Sequence, residues 1–104
     1  MSRFASTDPA TGEVVWEGAA ADAREVAEAV ASARAAFQDW ADRPREERIE
    51  ALRRYKAALE ARRGEFAQAL SRETGKALWE TTAELGSMIG KVDISIAAYD
   101  DRTA

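Results

Sequence analysis

The stretch Leu78–Tyr99, LWETTAELGSMIGKVDISIAAY, decides the fold class. Leu78, Thr82, Leu85, Ile89, Val92, Ile96 and Tyr99 recur alternately four and three residues apart. That spacing sets all seven on one side of an α-helix, as a heptad-like seam. Gly86 and Gly90 share a face of the same helix, and residues that small permit close approach of another element. In lipid such a pair would suggest helix dimerisation, but Lys91 and Asp93 follow directly and the segment is not a span. The spacing predicts a helix over about residues 77–102.

Working towards the N-terminus, Thr74-Gly75 reads as a helix stop, with Gly75 as C-cap. Phe66 and Leu70 mark a short helix over 65–74, and Gly64 predicts a break before it, at a cost of ~1 kcal/mol relative to Ala. Pro44 suits a first helical turn, and Glu46 and Glu47 suit its positive end. A helix over 44–63 is expected, with Ile49, Leu52, Tyr55 and Leu59 buried and Arg53, Arg54, Arg62 and Arg63 solvated. Asp22 with Glu25 resembles a capping box and opens a helix over 22–41. Its apolar stripe is Val26, Val30, Ala33, Phe37 and Trp40.

Residues 4–18 form the strand-like region. Val14-Val15-Trp16 favours a strand, and Asp8-Pro9-Ala10-Thr11-Gly12-Glu13 carries turn chemistry. A β-hairpin with its tip near Thr11-Gly12 follows. Alone it would be marginal, so it must pack on a helix or join a larger sheet. The expected fold is mostly α (α+β): one segment, 1–104, with an N-terminal hairpin followed by three to four helices.

Composition narrows the chemistry. Alanine supplies 24 of the 48 hydrophobic residues, leaving material for one small core. Fifteen basic and 19 acidic residues give a net charge of −4, which disfavours a phosphate-backbone binder. The absence of Cys and His removes thiolate catalysis, disulfides, Cys/His zinc sites and serine–histidine triads from this chain. The start, Met1-Ser2-Arg3-Phe4-Ala5-Ser6-Thr7, lacks the apolar run of a secretory signal, and no stretch reaches the ~18 apolar residues of a span. A cytoplasmic chain, without membrane or nucleic-acid partner, is the expectation.

Candidate chemical groups fare poorly. Gly75-Lys76 lacks the earlier Gly and following Ser or Thr of a phosphate loop; Leu70 and Ala77 stand there. The glycines at 12, 18, 64, 75, 86 and 90 form no dinucleotide fingerprint. Glu46-Glu47 and Asp100-Asp101 read as solvated pairs, and Glu73 with Lys76 as an (i, i+3) ion pair. Glu80 and Glu84 are expected to hold their helix to a neighbour. Arg43, Arg45 and Arg48 alternate with Glu46 and Glu47, which cancels their field. Trp16, Trp40 and Tyr99 fall at core-like positions rather than on a stacking surface. No catalytic, cofactor-binding or metal residue is assigned.

Four strings, in order, resemble the N-terminal part of the aldehyde dehydrogenase superfamily: Asp8-Pro9-Ala10-Thr11-Gly12-Glu13-Val14, Ala31–Trp40, Arg48, and Glu73-Thr74-Gly75-Lys76. Trp79-Glu80, Glu84, Met88–Tyr99 and Arg102-Thr103 are most similar to its succinylglutamate semialdehyde dehydrogenase branch, of bacterial arginine catabolism. The resemblance implies a partial piece of an α/β fold. It also implies NAD(P)-linked oxidation of a semialdehyde to an acid, by a cysteine thiolate and a glutamate that lie outside this chain. NAD is implied for a complete enzyme and no cofactor for this chain. The family carries more chain before the Asp-Pro turn than the seven residues here, and Ala104 precedes completion of the dinucleotide fold. The expectation is therefore a catalytically incompetent fragment. Its partner is the remainder of the parent dehydrogenase, or a second copy through the Leu78–Tyr99 seam. The rival reading is a stand-alone helical interaction module using that seam.

Overall fold

The computed structural model describes residues 2–103; the ends of the 1–104 segment, Met1 and Ala104, lie outside the described residues. The order is β1 (Arg3–Thr7), β2 (Val14–Ala19), α1 (Ala23–Asp42), α2 (Arg45–Ala61), α3 (Arg63–Thr74) and α4 (Leu78–Arg102). A hairpin followed by helices is thus the architecture, with four of them.

The strands pair antiparallel from Arg3 opposite Ala19 to Ser6 opposite Trp16, with an irregularity before Thr7 opposite Val14. Asp8 makes the turn. Its carboxylate accepts from the Ala10 amide at 2.8 Å, its carbonyl from Gly12 at 2.7 Å, and its own amide reaches the Glu13 carbonyl at 2.8 Å. Gly12 takes φ +77°, where an L side chain would be strained. The Phe4 and Trp16 rings meet at 5.1 Å. The hairpin leans on α3, which gives it the helix support it was expected to need.

The capping box of α1 is complete: Asp22 Oδ1 accepts from the Glu25 amide and Glu25 Oε2 from the Asp22 amide, both at 2.8 Å. Pro44 is the cap residue before α2 rather than a member of its first turn. The break between α2 and α3 falls at Arg62 (φ −114°, ψ 18°), and Gly64 lies inside α3. Arg62 anchors that corner by a bidentate grip on Glu65 at 2.7 and 2.9 Å. Gly64 sits in the first turn of α3, where the amides have no intrahelical partner to lose.

The core is where α2 and α3 meet α4. Leu59, Ala67, Leu85, Ile89 and Val92 are buried, with Thr81, 0% exposed, among them. Thr81 escapes the cost of burying a polar group because its hydroxyl donates to the Ala67 carbonyl at 2.8 Å. The buried line of α4 is therefore Thr81, Leu85, Ile89 and Val92. Thr82 instead turns outward and donates to the Leu78 carbonyl at 2.7 Å, and Leu78 and Tyr99 remain half-exposed. Of the face expected on α2, Leu59 is buried, Ile49 is half-buried, and Leu52 and Tyr55 stay open.

α1 buries none of its residues. Its stripe forms as predicted but covers nothing: Val30 is 65% exposed, and Val26, Phe37 and Trp40 are open too. The molecule is correspondingly spread out. Its radius of gyration is 17.9 Å, against roughly 13 Å for a compact chain of this length.

Candidate functional site

Three features of the surface could carry function: the 71–76 corner, the α2–α4 groove and the open face of α1. At the corner, the Gly75 amide donates to the Ser71 carbonyl at 2.9 Å and Gly75 takes φ +77°. The Ser71 hydroxyl donates to the Lys76 carbonyl at 2.6 Å, and the Thr74 hydroxyl to the Leu70 carbonyl at 2.7 Å. A Cβ at residue 75 would lie 2.8 Å from Pro9 Cγ, so the hairpin turn rests against this corner. Lys76 reaches across to Glu84 on α4 rather than to Glu73, replacing the expected (i, i+3) pair. Two helix ends meet here, and the ammonium has a better-placed carboxylate on the facing helix. The hydrogen bond and charge of Glu84 raise the Lys76 pKa, with Glu80 contributing further along α4.

The groove runs between α2 and α4. Arg45, Arg48, Ile49, Leu52, Ser95, Ile96 and Tyr99 line a cavity of about 170 Å³. Leu52 and Ser95 also border its continuation towards Tyr55, Met88 and Lys91. Arg45 pairs with Asp100 and stacks 4.7 Å from the Tyr99 ring centre. Arg48 Nε is buried without a hydrogen-bond partner among the described residues. Further along, Lys56 donates to Asp93 at 2.6 Å, which raises the lysine pKa.

Arg43, Arg45 and Arg48 go separate ways: Arg43 turns back to Asp39 at 3.1 Å, Arg45 clasps α4, and Arg48 enters the groove. Glu46, Glu47 and Asp101 are exposed, as solvated acids should be. Trp16, Trp40 and Tyr99 are not core residues; each is about half-exposed. Trp40 stands on the uncovered α1, Trp16 packs on Phe4 at the open hairpin, and Tyr99 lies beneath Arg45. Of the two glycines expected to permit close approach, Gly86 does so. A Cβ there would lie 2.9 Å from the Arg63 guanidinium, which donates to the Thr82 carbonyl at 3.3 Å. Gly90 has open space beside it.

Sequence spacing missed the cross-helix pairs Arg45–Asp100 and Lys56–Asp93, whose partners lie 55 and 37 residues apart. No local pattern encodes contacts at that range. The resolved pKa shifts, on Lys56, Arg62, Glu65 and Lys76, all arise first from a hydrogen-bonded ion partner. Catalytic acids and bases are usually tuned by burial and specific neighbours within a cleft, whereas these groups are surface clasps. Among the described residues no three Asp or Glu side chains converge as metal ligands would.

Nor do the residues fit a dinucleotide. The part of the groove beside Arg45 and Arg48 is about 170 Å³, below the ~300–1,000 Å³ of ordinary ligand sites, and its continuation of about 300 Å³ is lined mainly by apolar side chains. A shallower depression of about 400 Å³ presents Glu46, Glu47 and Glu50 beside Arg43 and Arg54, and three carboxylates oppose a pyrophosphate. Among the described residues no helix is long and apolar enough to cross a membrane. The described geometry consists of clasped helices, a docked turn and uncovered apolar faces.

Comparison with known proteins accounts for that pattern. The family model described as Aldehyde dehydrogenase family matches residues 1–103. N-succinylglutamate 5-semialdehyde dehydrogenase 2 of Caulobacter vibrioides is 69% identical over 100 residues, covering 96% of this chain and 21% of the relative. The N-succinylglutamate 5-semialdehyde dehydrogenase of Caulobacter sp. strain K31 is 69% identical over 98 residues, 94% of this chain and 20% of the relative. That of Chromohalobacter salexigens is 52% identical over 102 residues, 98% of this chain and 21% of the relative. The chain thus spans about a fifth of the length of the curated relatives it matches. With a match along essentially its whole length, the chain belongs to the aldehyde dehydrogenase family.

Proposed function

We propose that this chain is the N-terminal structural portion of an NAD(P)-dependent dehydrogenase that oxidises N-succinylglutamate 5-semialdehyde to the acid, in the cytoplasm. The observation that carries the reading is 69% identity over nearly the entire chain to enzymes of that name about five times as long. Two physical facts support a scaffolding role. The chain has no Cys to serve as thiolate nucleophile, and its perturbed groups are paired in surface clasps rather than poised in a cleft. Nucleophile, general base and cofactor loops then belong to the other four-fifths, and the chain's partner is that remainder.

A chimaera tests this: the Caulobacter vibrioides relative with its matched segment replaced by this chain. It is expected to reduce NAD(P) with N-succinylglutamate 5-semialdehyde at a rate within about tenfold of the parent, a difference of ~1.4 kcal/mol in barrier. A soluble, folded chimaera that turns over other aldehydes but not this one would refute the substrate assignment. One inert towards every aldehyde would refute the family activity.

A further inference from the structure

We propose that the groove between α2 and α4 binds the reaction product, N-succinylglutamate, by its two terminal carboxylates, with Arg48 at one end and Lys91 at the other; this rests on the functional reading above. The chain carries more acid than base, yet no Asp or Glu lines either part of the groove. The acids of α4 beside it are already engaged, Asp100 by Arg45 and Asp93 by Lys56.

Arg48 Nε is buried without a partner, and neither Arg48 nor Lys91 joins a salt bridge among the described residues. A buried guanidinium nitrogen without an acceptor is costly, and a bound carboxylate removes that cost with two parallel hydrogen bonds. Lys91, exposed in the continuation of the groove, offers a point charge on a flexible stem. Between them Leu52, Ile96, Met88 and Val92 suit methylene groups, and Ser95, which borders both parts, offers a hydroxyl to an amide.

Length selects the ligand. On α2 the groove runs from Arg48 to Tyr55, which is about 10 Å at ~1.5 Å per residue. In N-succinylglutamate the terminal carboxylates stand about eight bonds apart, or ~9 Å when extended at ~3.4 Å per three chain bonds. The semialdehyde has the same length but an uncharged aldehyde in place of the second terminal carboxylate. A groove with a cation at each end therefore holds product more tightly than substrate, and its occupancy follows product.

Calorimetric titration of the chimaera tests the site. The wild-type chimaera is expected to bind N-succinylglutamate at least threefold more tightly than N-succinylglutamine, whose terminal amide is neutral. Arg48→Met should weaken N-succinylglutamate about tenfold and Lys91→Met about threefold, since Lys91 is the more exposed cation. Arg53→Met, which removes an exposed cation outside the groove, should leave the affinity unchanged. Circular dichroism reports that each variant folds. Equal affinity of the wild type for the two ligands overturns the proposal without recourse to any variant. So does undiminished binding in either groove variant, which places the product elsewhere in the enzyme, or no binding at all, the mark of a groove filled by the rest of the polypeptide. Groove-dependent binding in a chimaera inert towards aldehydes supports the site and faults the enzymatic reading; turnover without groove-dependent binding overturns the site alone.

Discussion

Two glycines of this chain do opposite things, and substitution separates them. Gly75 holds φ +77° and has Pro9 packed where a side chain would go. The left-handed region alone costs an L residue ~1–2 kcal/mol, so Gly75→Ala is expected to lower stability by at least that amount in urea unfolding. Gly64 has a helical backbone, and a methyl group added there would meet nothing within 4 Å. Gly64→Ala is expected to raise stability by about 0.5 kcal/mol. Equal effects of the two changes would contradict the Pro9–Gly75 contact. The difference is half legible in the sequence. Gly75 follows a helix and precedes a new apolar period, which marks a left-handed cap. Gly64 reads as a breaker because propensity scales describe helix interiors, whereas it occupies a first turn.

At the scale of elements, the clasps between helices govern the response to pH. Lys56–Asp93 ties α2 to α4, and Lys76–Glu84 ties the corner to α4. Both lysine pKa values are raised, first by the hydrogen bond to the carboxylate. Their contribution is therefore complete below lysine's ordinary value, about 10.4, and is lost as pH rises through the raised values. Glu65 works the other way. Arg62 lowers its pKa, so its contribution is present above about 4.3 and lost as pH falls through the lowered value. The urea midpoint is expected to be level through neutrality and to decline at the alkaline end. In Lys56→Met/Lys76→Met the alkaline decline should be shallower than in the wild type. An identical decline in the double variant would rule the clasps out as its cause. Helix starts and stops are readable because caps are local chemistry, as Asp22 with Glu25 demonstrates. The spacing puts the burial of α4 one residue off at its start, Thr82 for Thr81, because only the facing Ala67 carbonyl makes Thr81 the residue that can be buried. Arg48 is visible as a residue and not as a groove-lining group, since α4 supplies the other wall.

On the scale of the whole molecule, the surplus of exposed surface has a thermodynamic signature. Denaturant sensitivity scales with the area newly exposed on unfolding, and this chain already exposes 7881 Å² when folded. Its urea m-value is expected to fall at or below ~1 kcal/mol/M, the low end for small proteins. A value typical of compact domains would show that the apolar faces are covered in solution. The sequence indicates which faces are apolar, in α1 as in α4. It does not indicate which are covered within the chain, because coverage depends on how α2 and α3 cross α4. The contact between Pro9 and Gly75 carries a consequence for biosynthesis. The hairpin leaves the ribosome first, yet its resting place is made by a residue translated 66 positions later, roughly 3–13 s at about 5–20 residues per second. For that interval the turn at Pro9 lacks its seat, and a hairpin that is marginal alone must wait for its helix before it is held in place.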